Sequence, residues 1–464
     1  MNRLVLATAG GIAAGILLTS QVGPLIAEAT KHDSSVYEQL DLFGDIFEKV
    51  RSDYVEPVDS QKLVEAAIQG MLSSLDPHSS YLSPKDYEDM MVKTKGEFSG
   101  LGIEVTQEEG VIKVISPIDG TPADKAGVEA GDFITHVNGE SIVGLPLDQA
   151  VDLMRGPKGS EVIITIFREG RDQPFDISII RDTVTLQSTS SRIIGNTAVL
   201  RITTFDSHAT SGIKEALEKS IKELGGVENI DGVVLDLRNN PGGLLNEAIS
   251  VSDLFLDAGE IVSTRGRHAS DTKRYNAVTG DMIKDKPMVV LINGGSASAS
   301  EIVTGALQDH RRAVVVGTKS FGKGTVQSPI PLKGDDGAMK LTTARYYTPS
   351  GRSIQTLGIS PDIVVAQPAK QPAAEESKPE DALSIAARQR GEADLRGAIS
   401  NDSMSEDEKK LYLEEQQAAE EAAKLRQEDY QLAYAVDILK GLSLAAEEIS
   451  PAKAAQVSEK DQNE

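Results

Sequence analysis

The sequence predicts a multidomain protein of mixed α+β and α/β class, in which a β-rich module precedes an α/β core and helical segments lie at both ends. A length of 464 residues is too great for one ordinary core and favours about three domains. Short β patterns joined by glycine-rich turns dominate residues 96–183, whereas strand and helix patterns alternate through residues 184–366. Apolar residues recur at helical spacing in residues 31–95 and again near the end of the chain.

Residues 1–30 have the features of an export signal or of an N-terminal membrane anchor. Arg3 supplies the positive start, and an apolar run rich in Ala, Gly and Leu extends from Leu4 to Leu18. The run is short for a membrane span, which needs roughly 20 apolar residues, so cleavage near Ala27 is the first expectation and retention as an anchor is the alternative.

Composition excludes several classes of function. The net charge of −24 argues against nucleic acid as a partner, because such binding depends on Lys and Arg that neutralise phosphates. The absence of cysteine excludes disulfides and a thiol nucleophile, and an exported chain without cysteine fits a bacterial periplasm best. The sequence has no H-E-x-x-H motif and no Cys/His cluster, so neither a metal nor another cofactor is expected.

The two ends of the chain are predicted to be helical. A break at Val55-Glu56-Pro57 separates two amphipathic helices in residues 31–95, whose apolar faces form a local core or pair between subunits. In residues 367–464 we expect a Pro-rich linker and an acidic tail, mostly solvated helix or unstructured, with Tyr430–Leu444 able to dock. The apolar residues that define these helices are Leu40, Phe43, Phe47 and Val50, then Leu63, Ala67, Met71 and Leu75, and finally Leu432, Val436, Leu439 and Leu442.

The β-rich module at residues 96–183 has the pattern of a domain that captures peptide ends. A glycine loop beside a strand, with the helix Leu147–Met154 alongside, lets the strand pair with a peptide backbone while loop N–H groups take the carboxylate. The predicted binding loop is Gly100, Leu101, Gly102 and Ile103, and the module resembles a PDZ domain.

The alternating region at residues 184–366 predicts an α/β layer with buried strands. In such layers, sites gather where strands end and helices begin. The predicted strands are 197–202, 232–237, 288–292 and 313–317, and the predicted helices are 211–224, 245–256 and 299–308. Two polar segments lie at these junctions, one around Asn240 and one around Ser298.

Ser298 and Lys323 are a candidate nucleophile and base. A serine hydroxyl is a poor nucleophile unless a neighbour takes its proton, and a desolvated lysine does so once its pKa falls towards neutrality. The alternative for Ser298 is a capping box with Glu301. Lys323 ends a near match to a phosphate-binding loop, but Gly324 replaces the required Ser or Thr and a strand pattern follows instead of a helix.

The glycine pair of Asn239-Asn240-Pro241-Gly242-Gly243 follows a hydrophobic strand. Without side chains at Gly242 and Gly243, the backbone can approach another group closely. Its N–H groups could form an oxyanion hole together with that of Ala299, and the alternative is a tight strand-to-helix turn.

Together these residues resemble the C-terminal processing peptidases, also called carboxyl-terminal or tail-specific proteases. The resemblance spans residues 36–365 in the order of the family and is highly specific. The matching stretches are Leu75–Leu82, Gly100–Glu104, Asp236–Gly243, Ser296–Glu301, Phe321–Gln327 and Leu341–Gln355.

The resemblance implies a serine endopeptidase with a Ser-Lys dyad, a crotonase-like α/β core and an inserted PDZ domain that recognises the carboxyl ends of protein substrates. It implies Ser298 as nucleophile, Lys323 as base and Gln327 as the residue that orients the lysine. The backbone of Gly242 or Gly243 and of Ala299 would form the oxyanion hole. Arg155 is similar to an arginine thought to sense docked substrate.

The resemblance also implies partners. Family members often self-associate through terminal helices, which makes 36–50 and 430–444 candidate oligomer contacts, and an envelope adaptor or activating lipoprotein is a further expectation. Two other classes compete with a peptidase: a noncatalytic PDZ scaffold, and an acyl-transfer enzyme of related α/β architecture that would bind coenzyme A. Neither class calls for Ser298, Lys323 and Gln327 together.

Overall fold

The computed structural model describes residues 35–334, 336–368 and 406–449, so the predicted export signal and the linker after Pro368 lie outside the described residues. The described residues divide into two compact units, the first ending at Tyr81 and the second beginning at Leu82. Each unit is described by itself below.

The first unit contains the predicted helical pair. Helix α1 covers residues 35–53 and helix α2 covers Ser60–Ser73. The Asp59 carboxylate starts α2 by accepting a hydrogen bond of 2.9 Å from the Gln61 N–H, which satisfies one of the free donors at a helix start. Apolar side chains of α1, among them Leu40 and Phe43, are exposed. Within the described ranges, no helix of either unit is long and apolar enough to cross a membrane.

The β-rich module of the second unit is built on one antiparallel sheet, with strand order β3-β4-β5-β7-β8 and β6 paired to β5. Its core includes Ile112, Ile134, Ile164 and Ala150. Strands β2 and β9 pair antiparallel at the ends of the module. Its elements, with the strand and helix that precede it, are β1 (Ser80–Leu82), α3 (Pro84–Lys95), β2 (Glu97–Gly100), β3 (Ile103–Glu108), β4 (Val111–Pro117), α4 (Pro122–Lys125), β5 (Phe133–Val137), β6 (Glu140–Ser141), α5 (Leu147–Met154), β7 (Glu161–Phe167), β8 (Phe175–Ile180) and β9 (Asp182–Thr185).

The core contains a six-stranded sheet in the order β10-β11-β12-β15-β16-β19, in which every pairing except β10 with β11 is parallel. A second sheet contains β13, β14, β17 and β18. The elements are β10 (Thr189–Ile194), β11 (Thr197–Ile202), α6 (Ala209–Glu223), β12 (Gly232–Asp236), α7 (Leu245–Asp253), β13 (Glu260–Arg265), β14 (Lys273–Asn276), β15 (Met288–Ile292), α8 (Ala299–Asp309), β16 (Val314–Gly317), β17 (Thr325–Pro331), β18 (Ala338–Tyr347) and β19 (Ile363–Val364).

Both faces of the parallel sheet are buried, which explains why β12 and β15 are apolar at nearly every position. Helices α6, α7 and α8 cover one face in the main apolar core. The other face carries Val199, Val234, Val289 and Leu291.

The acidic tail supplies the cover for that second face. Helix α9 covers Glu406–Glu428 and helix α10 covers Tyr430–Ile449. Leu432, Val436 and Leu439 of α10 are buried against the sheet. The docking expected for Tyr430–Leu444 therefore occurs within the chain through these three residues. Leu442, the fourth residue of the predicted apolar pattern, is exposed, as is Leu444 on the same helix.

The Leu439→Ala substitution tests whether the tail is part of the core. Leu439 is fully buried, so the truncation should lower the free energy of unfolding by about 2 to 5 kcal/mol through lost burial and a residual cavity. Urea denaturation followed by circular dichroism measures the change. Leu444→Ala on the same helix is the control and should change stability by less than about 0.5 kcal/mol; equal effects of the two variants would show that α10 is not docked.

Candidate active site

The site forms where two neighbouring parallel strands end. Strands β12 and β15 pair in register, with Asp236 opposite Leu291. Because the carboxyl ends of parallel strands lie at the same edge of a sheet, the loop after β12 and the loop after β15 are adjacent. We call Asn239–Gly243 the glycine loop and Asn293–Ser298 the serine turn.

Hydrogen bonds join the serine turn to the end of β12. The Ser296 hydroxyl donates to the Leu237 carbonyl over 2.8 Å. The Asn240 carbonyl accepts from the Ala297 N–H at 3.0 Å and from the Ser300 hydroxyl at 2.9 Å. The two loops are therefore held as one structure.

Ser298 lies immediately before helix α8 in a strained conformation. Its φ of 55° and ψ of −110° cost a residue with a Cβ about 1 to 3 kcal/mol, so the surrounding structure must hold it there. The serine is nearly buried, and helix α8 begins with the next residue, Ala299. A hydroxyl at a helix N-terminus lies in positive potential, which stabilises a developing oxyanion.

Gly242 approaches Ser298 so closely that no other residue fits. Its φ is 104°, and a Cβ built on it would lie 2.8 Å from the Ala297 carbonyl oxygen and 2.8 Å from the Ser298 Cβ. The sequence expectation of a close backbone approach by the glycine pair is therefore met at Gly242.

A buried carboxylate, that of Glu301, joins the serine to the segment that carries Lys323. Its Oε2 accepts from the Ser298 N–H at 2.7 Å and from the Lys323 N–H at 2.9 Å. Its Oε1 accepts from the Ser320 hydroxyl and from the Gly322 N–H, both at 2.6 Å. The bond to the Ser298 N–H is one half of the predicted capping box. The other three bonds join Glu301 to a different loop, 19 to 22 residues further along the chain.

Lys323 is partly buried between Gly322 and Gly324. Burial lowers the pKa of Lys323, and the nearby Lys340 ammonium lowers it further, while the Glu301 carboxylate acts in the opposite direction. The strand β17 begins two residues after Lys323, so this segment does not have the strand-to-helix geometry of a phosphate-binding loop.

Ser298, Lys323 and Gln327 line a single pocket of about 350 Å³. Tyr346 and Lys340 also line this pocket, and neither was predicted from the sequence. Burial raises the pKa of Tyr346 to about 12, although its hydrogen bond to the Ser298 side chain acts in the opposite direction. Tyr346 is therefore protonated near neutral pH. The other lining residues are Met90, Met91, Lys93, Thr94, Thr204, Phe205, Pro241, Gly243, Leu244 and Pro329.

The predicted oxyanion donors differ in their availability. The Gly242 N–H donates to the Asn240 side-chain oxygen at 2.9 Å. Among the described residues, the N–H groups of Gly243 and Ala299 have no hydrogen-bond acceptor. Gly243 and Ala299 are therefore the two backbone donors free to bind a ligand atom.

The predicted peptide-binding loop also lines a groove, of about 130 Å³. Gly100, Leu101, Gly102 and Ile103 lie on one side of the groove, and α5 contributes Val151 and Met154. Arg155 lies at the end of α5, where its guanidinium donates to Asp89 of helix α3 at 3.2 Å. Helix α3 continues to Met90, Met91 and Thr94, which line the Ser298 pocket.

Besides Lys340, sequence reasoning missed three contributors for identifiable reasons. Glu301 carried a capping-box signal that accounts for only one of its four bonds. Tyr346 lies in the matching stretch Leu341–Gln355, but nothing local to it indicates contact with Ser298. Helix α3 has an ordinary cap at Ser83 and no polar motif that would mark it as a pocket wall.

A serine on a strained turn at a helix start, a partly buried lysine in the same pocket and a separate peptide-binding module define a serine peptidase with a PDZ domain. Comparison with known proteins identifies the family. Residues 196–365 match the model of peptidase family S41, residues 113–168 match the PDZ domain, and residues 7–86 match the N-terminal domain of the activating protease CtpB. The chain belongs to the carboxy-terminal-processing proteases of family S41.

Curated relatives agree with this assignment over most of their length. A carboxy-terminal-processing protease of Bartonella bacilliformis is 55% identical over 356 residues, which cover 76% of this chain and 82% of that protein. A probable CtpA-like serine protease of Staphylococcus haemolyticus is 36% identical, over 78% of this chain and 71% of that one. The solved structure of the photosystem II D1 C-terminal processing protease is 31% identical, with a TM-score of 0.42 over 69% of this chain and 85% of that one. The family models and the Bartonella relative confirm the enzyme class, a serine-type C-terminal processing peptidase, in place of the noncatalytic scaffold and the acyl-transfer enzyme.

Gly242→Ala tests the contact between the glycine loop and Ser298. An added methyl group must displace the Ala297 carbonyl or Ser298 itself, so we expect kcat for a chromogenic peptide to fall about 100-fold or more, as for loss of an oxyanion donor. Gly170→Ala is the matched control, because Gly170 also has a positive φ, of 86°, but has open space around its Cα. A Gly242→Ala enzyme with the kcat of the control would contradict the close contact.

Proposed function

We propose that this protein cleaves substrate proteins by a Ser-Lys dyad, with Ser298 as nucleophile and Lys323 as general base, on a core of the crotonase-like type. The observation that carries the proposal is the Glu301 carboxylate, which bonds the backbone of both residues and so fixes the serine and the lysine relative to each other. An enzyme that needs a proton transferred between two side chains must hold them in one geometry.

The chemistry proceeds in two halves. Neutral Lys323 Nζ accepts the proton of the Ser298 hydroxyl as Ser298 Oγ bonds to the scissile carbonyl carbon. The lysine then gives that proton to the leaving amine as the C–N bond breaks, which leaves an acyl-enzyme on Ser298. A water molecule, deprotonated by Lys323, attacks the ester carbonyl, and the proton returns to Ser298 as the carboxylate product leaves.

Electrostatics of the pocket favour Lys323 as the base. Its pKa is lowered by burial and by Lys340, so a larger fraction of the amine is neutral at a given pH. Tyr346 has a pKa raised to about 12 and keeps its own proton. It can therefore form a hydrogen bond with the Ser298 side chain, but it does not act as the base that removes the Ser298 proton. In substrate-free enzymes, the hydrogen bond between a nucleophile and its general base commonly tightens only when substrate binds.

We assign the oxyanion hole to the N–H groups of Gly243 and Ala299. Gly243 lines the same pocket as Ser298, and Ala299 follows Ser298 directly in the chain. Both N–H groups lack an internal acceptor among the described residues, whereas the Gly242 N–H donates to Asn240. Gly242 then serves to let the loop approach the serine. We therefore call Asn239–Gly243 the oxyanion loop.

Gln327 is assigned the role of orienting Lys323. Its amide nitrogen donates to the hydroxyls of Thr325, at 2.9 Å, and Thr342, at 3.2 Å. With the nitrogen held in this way, the Gln327 carbonyl oxygen is the atom able to accept a hydrogen bond from the lysine.

The PDZ domain is proposed to select substrates by their carboxyl ends. A substrate tail would add as a strand beside β3 with its carboxylate at the loop Gly100–Ile103, and its side chains would contact the apolar groove. Arg155 connects this groove to Asp89 of helix α3. Tail binding could thereby be sensed at Arg155 and affect the wall of the Ser298 pocket.

The cellular setting follows from the sequence. We propose export to the bacterial periplasm, with residues 1–30 removed or retained as an inner-membrane anchor. The exposed apolar side chains of α1 support self-association through that helix. An envelope adaptor or activating lipoprotein remains a proposed partner.

Ser298→Ala tests the nucleophile. The alanine variant should lose essentially all cleavage of a protein substrate and all labelling by a fluorophosphonate, while its thermal unfolding midpoint stays close to that of the wild type. Mass spectrometry of the labelled wild-type enzyme should place the adduct on Ser298.

Ser300→Ala is the matched control from the same segment. Ser300 is buried and donates to the Asn240 carbonyl, so its loss should affect stability more than labelling. Full cleavage by the Ser298 variant, or an adduct on Ser300 in the wild type, would refute the dyad.

A further inference from the structure

Arg238 lies between the last strand residue of β12 and the oxyanion loop, and it is nearly buried. The residue before it, Leu237, and the residue two positions after it, Asn240, carry the carbonyl groups to which the serine turn is bonded. A displacement of Arg238 would therefore be transmitted to both the oxyanion loop and the serine turn.

All five guanidinium N–H groups of Arg238 have an acceptor. Asp236 accepts from Nε at 2.9 Å and from Nη2 at 2.8 Å. Asp429 accepts from Nη1 at 2.7 Å and from Nη2 at 2.6 Å, and Gln431 accepts from Nη1 at 3.1 Å. Two of these three acceptor residues come from the acidic tail, 191 and 193 residues away in sequence.

Asp429 is held firmly in its position. It accepts from the Leu432 N–H at 3.1 Å at the start of helix α10, and Leu432, Val436 and Leu439 anchor that helix on the sheet. Gln431, two residues after Asp429, donates to the Val365 carbonyl at 2.7 Å. Burial opposes ionisation of Asp429, but Arg238 outweighs it and lowers the pKa of Asp429 below its usual value.

We infer that Asp429 is a positioning residue for peptide-bond cleavage: through Arg238, it holds the oxyanion loop in place against the Ser298 turn. The inference rests on the proposed function, since it requires the Gly243 and Ala299 N–H groups to bind the oxyanion. It gives the tail a part in the reaction, although none of the tail residues that the structure describes lines the Ser298 pocket.

The bidentate geometry explains why a tail residue could affect the rate. Paired N–H···O bonds between a guanidinium and a carboxylate fix both distance and orientation, whereas a single neutral acceptor fixes only one of them. A shift of about 1 Å in a group that stabilises the transition state can reduce the rate by up to about 100-fold.

Asp429→Asn in the full-length protein tests the inference. We expect kcat for a chromogenic peptide, per active site titrated with a fluorophosphonate, to fall about tenfold to 100-fold, with KM within about twofold of wild type. Dividing the rate by the number of titrated active sites excludes any unfolded enzyme from the comparison. Asp429→Glu keeps the charge and should recover part of the loss.

Asp437→Asn is the matched control. Asp437 is on the same helix and pairs with Arg426 at 2.8 Å on the surface, away from Arg238. It should leave kcat per titrated site unchanged. An Asp429→Asn enzyme with wild-type kcat per site would overturn the inference, as would an equal effect of the two substitutions.

Gln431→Leu keeps the test decisive if Asp429→Asn does not fold. It leaves Asp429 in place and removes one acceptor of Arg238, so kcat per site should fall severalfold, and an unchanged kcat would overturn the inference. Ser298→Ala is measured in parallel. If that variant is inactive while Asp429→Asn is fully active, only the role of Asp429 fails; if Ser298→Ala is active, the proposed function fails instead.

Discussion

The arrangement of this site depends on one buried carboxylate. Glu301 accepts four hydrogen bonds, from the N–H groups of Ser298, Gly322 and Lys323 and from the Ser320 hydroxyl. A buried carboxylate is stable only when hydrogen-bond donors replace the water that it has lost. Glu301 therefore needs all four of these bonds. The same bonds restrain the strained φ of Ser298 and bring the lysine segment to the serine.

The sheet supplies the second constraint. Parallel pairing of β12 with β15 places the glycine loop and the serine turn at one edge. Burial of both faces then makes that edge rigid, with α8 on one side and the tail helix α10 on the other. Helix α10 of the acidic tail is thus part of the enzyme's framework. One carboxylate of the tail, that of Asp429, forms an ion pair with Arg238.

Local signals predicted much of this arrangement. Helix α5, strands β11 and β15, the helix start at Ala299 and the glycine pair all follow from patterns confined to a few residues. The ion pair between Arg238 and Asp429 could not be predicted in this way, because the two residues are 191 positions apart in the sequence. In the sequence alone, each has the pattern of a solvated surface charge. Glu301 was ambiguous for another reason, since one carboxylate serves both as helix cap and as bridge. The docking of α10 was only suggested, because its mixed apolar spacing suits a solvated helix as well.

The most direct test of the account is the pH dependence of kcat/KM for wild-type enzyme and Glu301→Gln. With Lys323 as base, wild-type kcat/KM should rise with pH as the lysine loses its proton through its lowered pKa. Removing the Glu301 charge, which raises the pKa of Lys323, should move this rise to lower pH. The lost charge-assisted bonds should also lower the plateau by about tenfold or more. A variant whose rise and plateau coincide with those of the wild type would contradict the claim that Glu301 holds a Ser298–Lys323 pair.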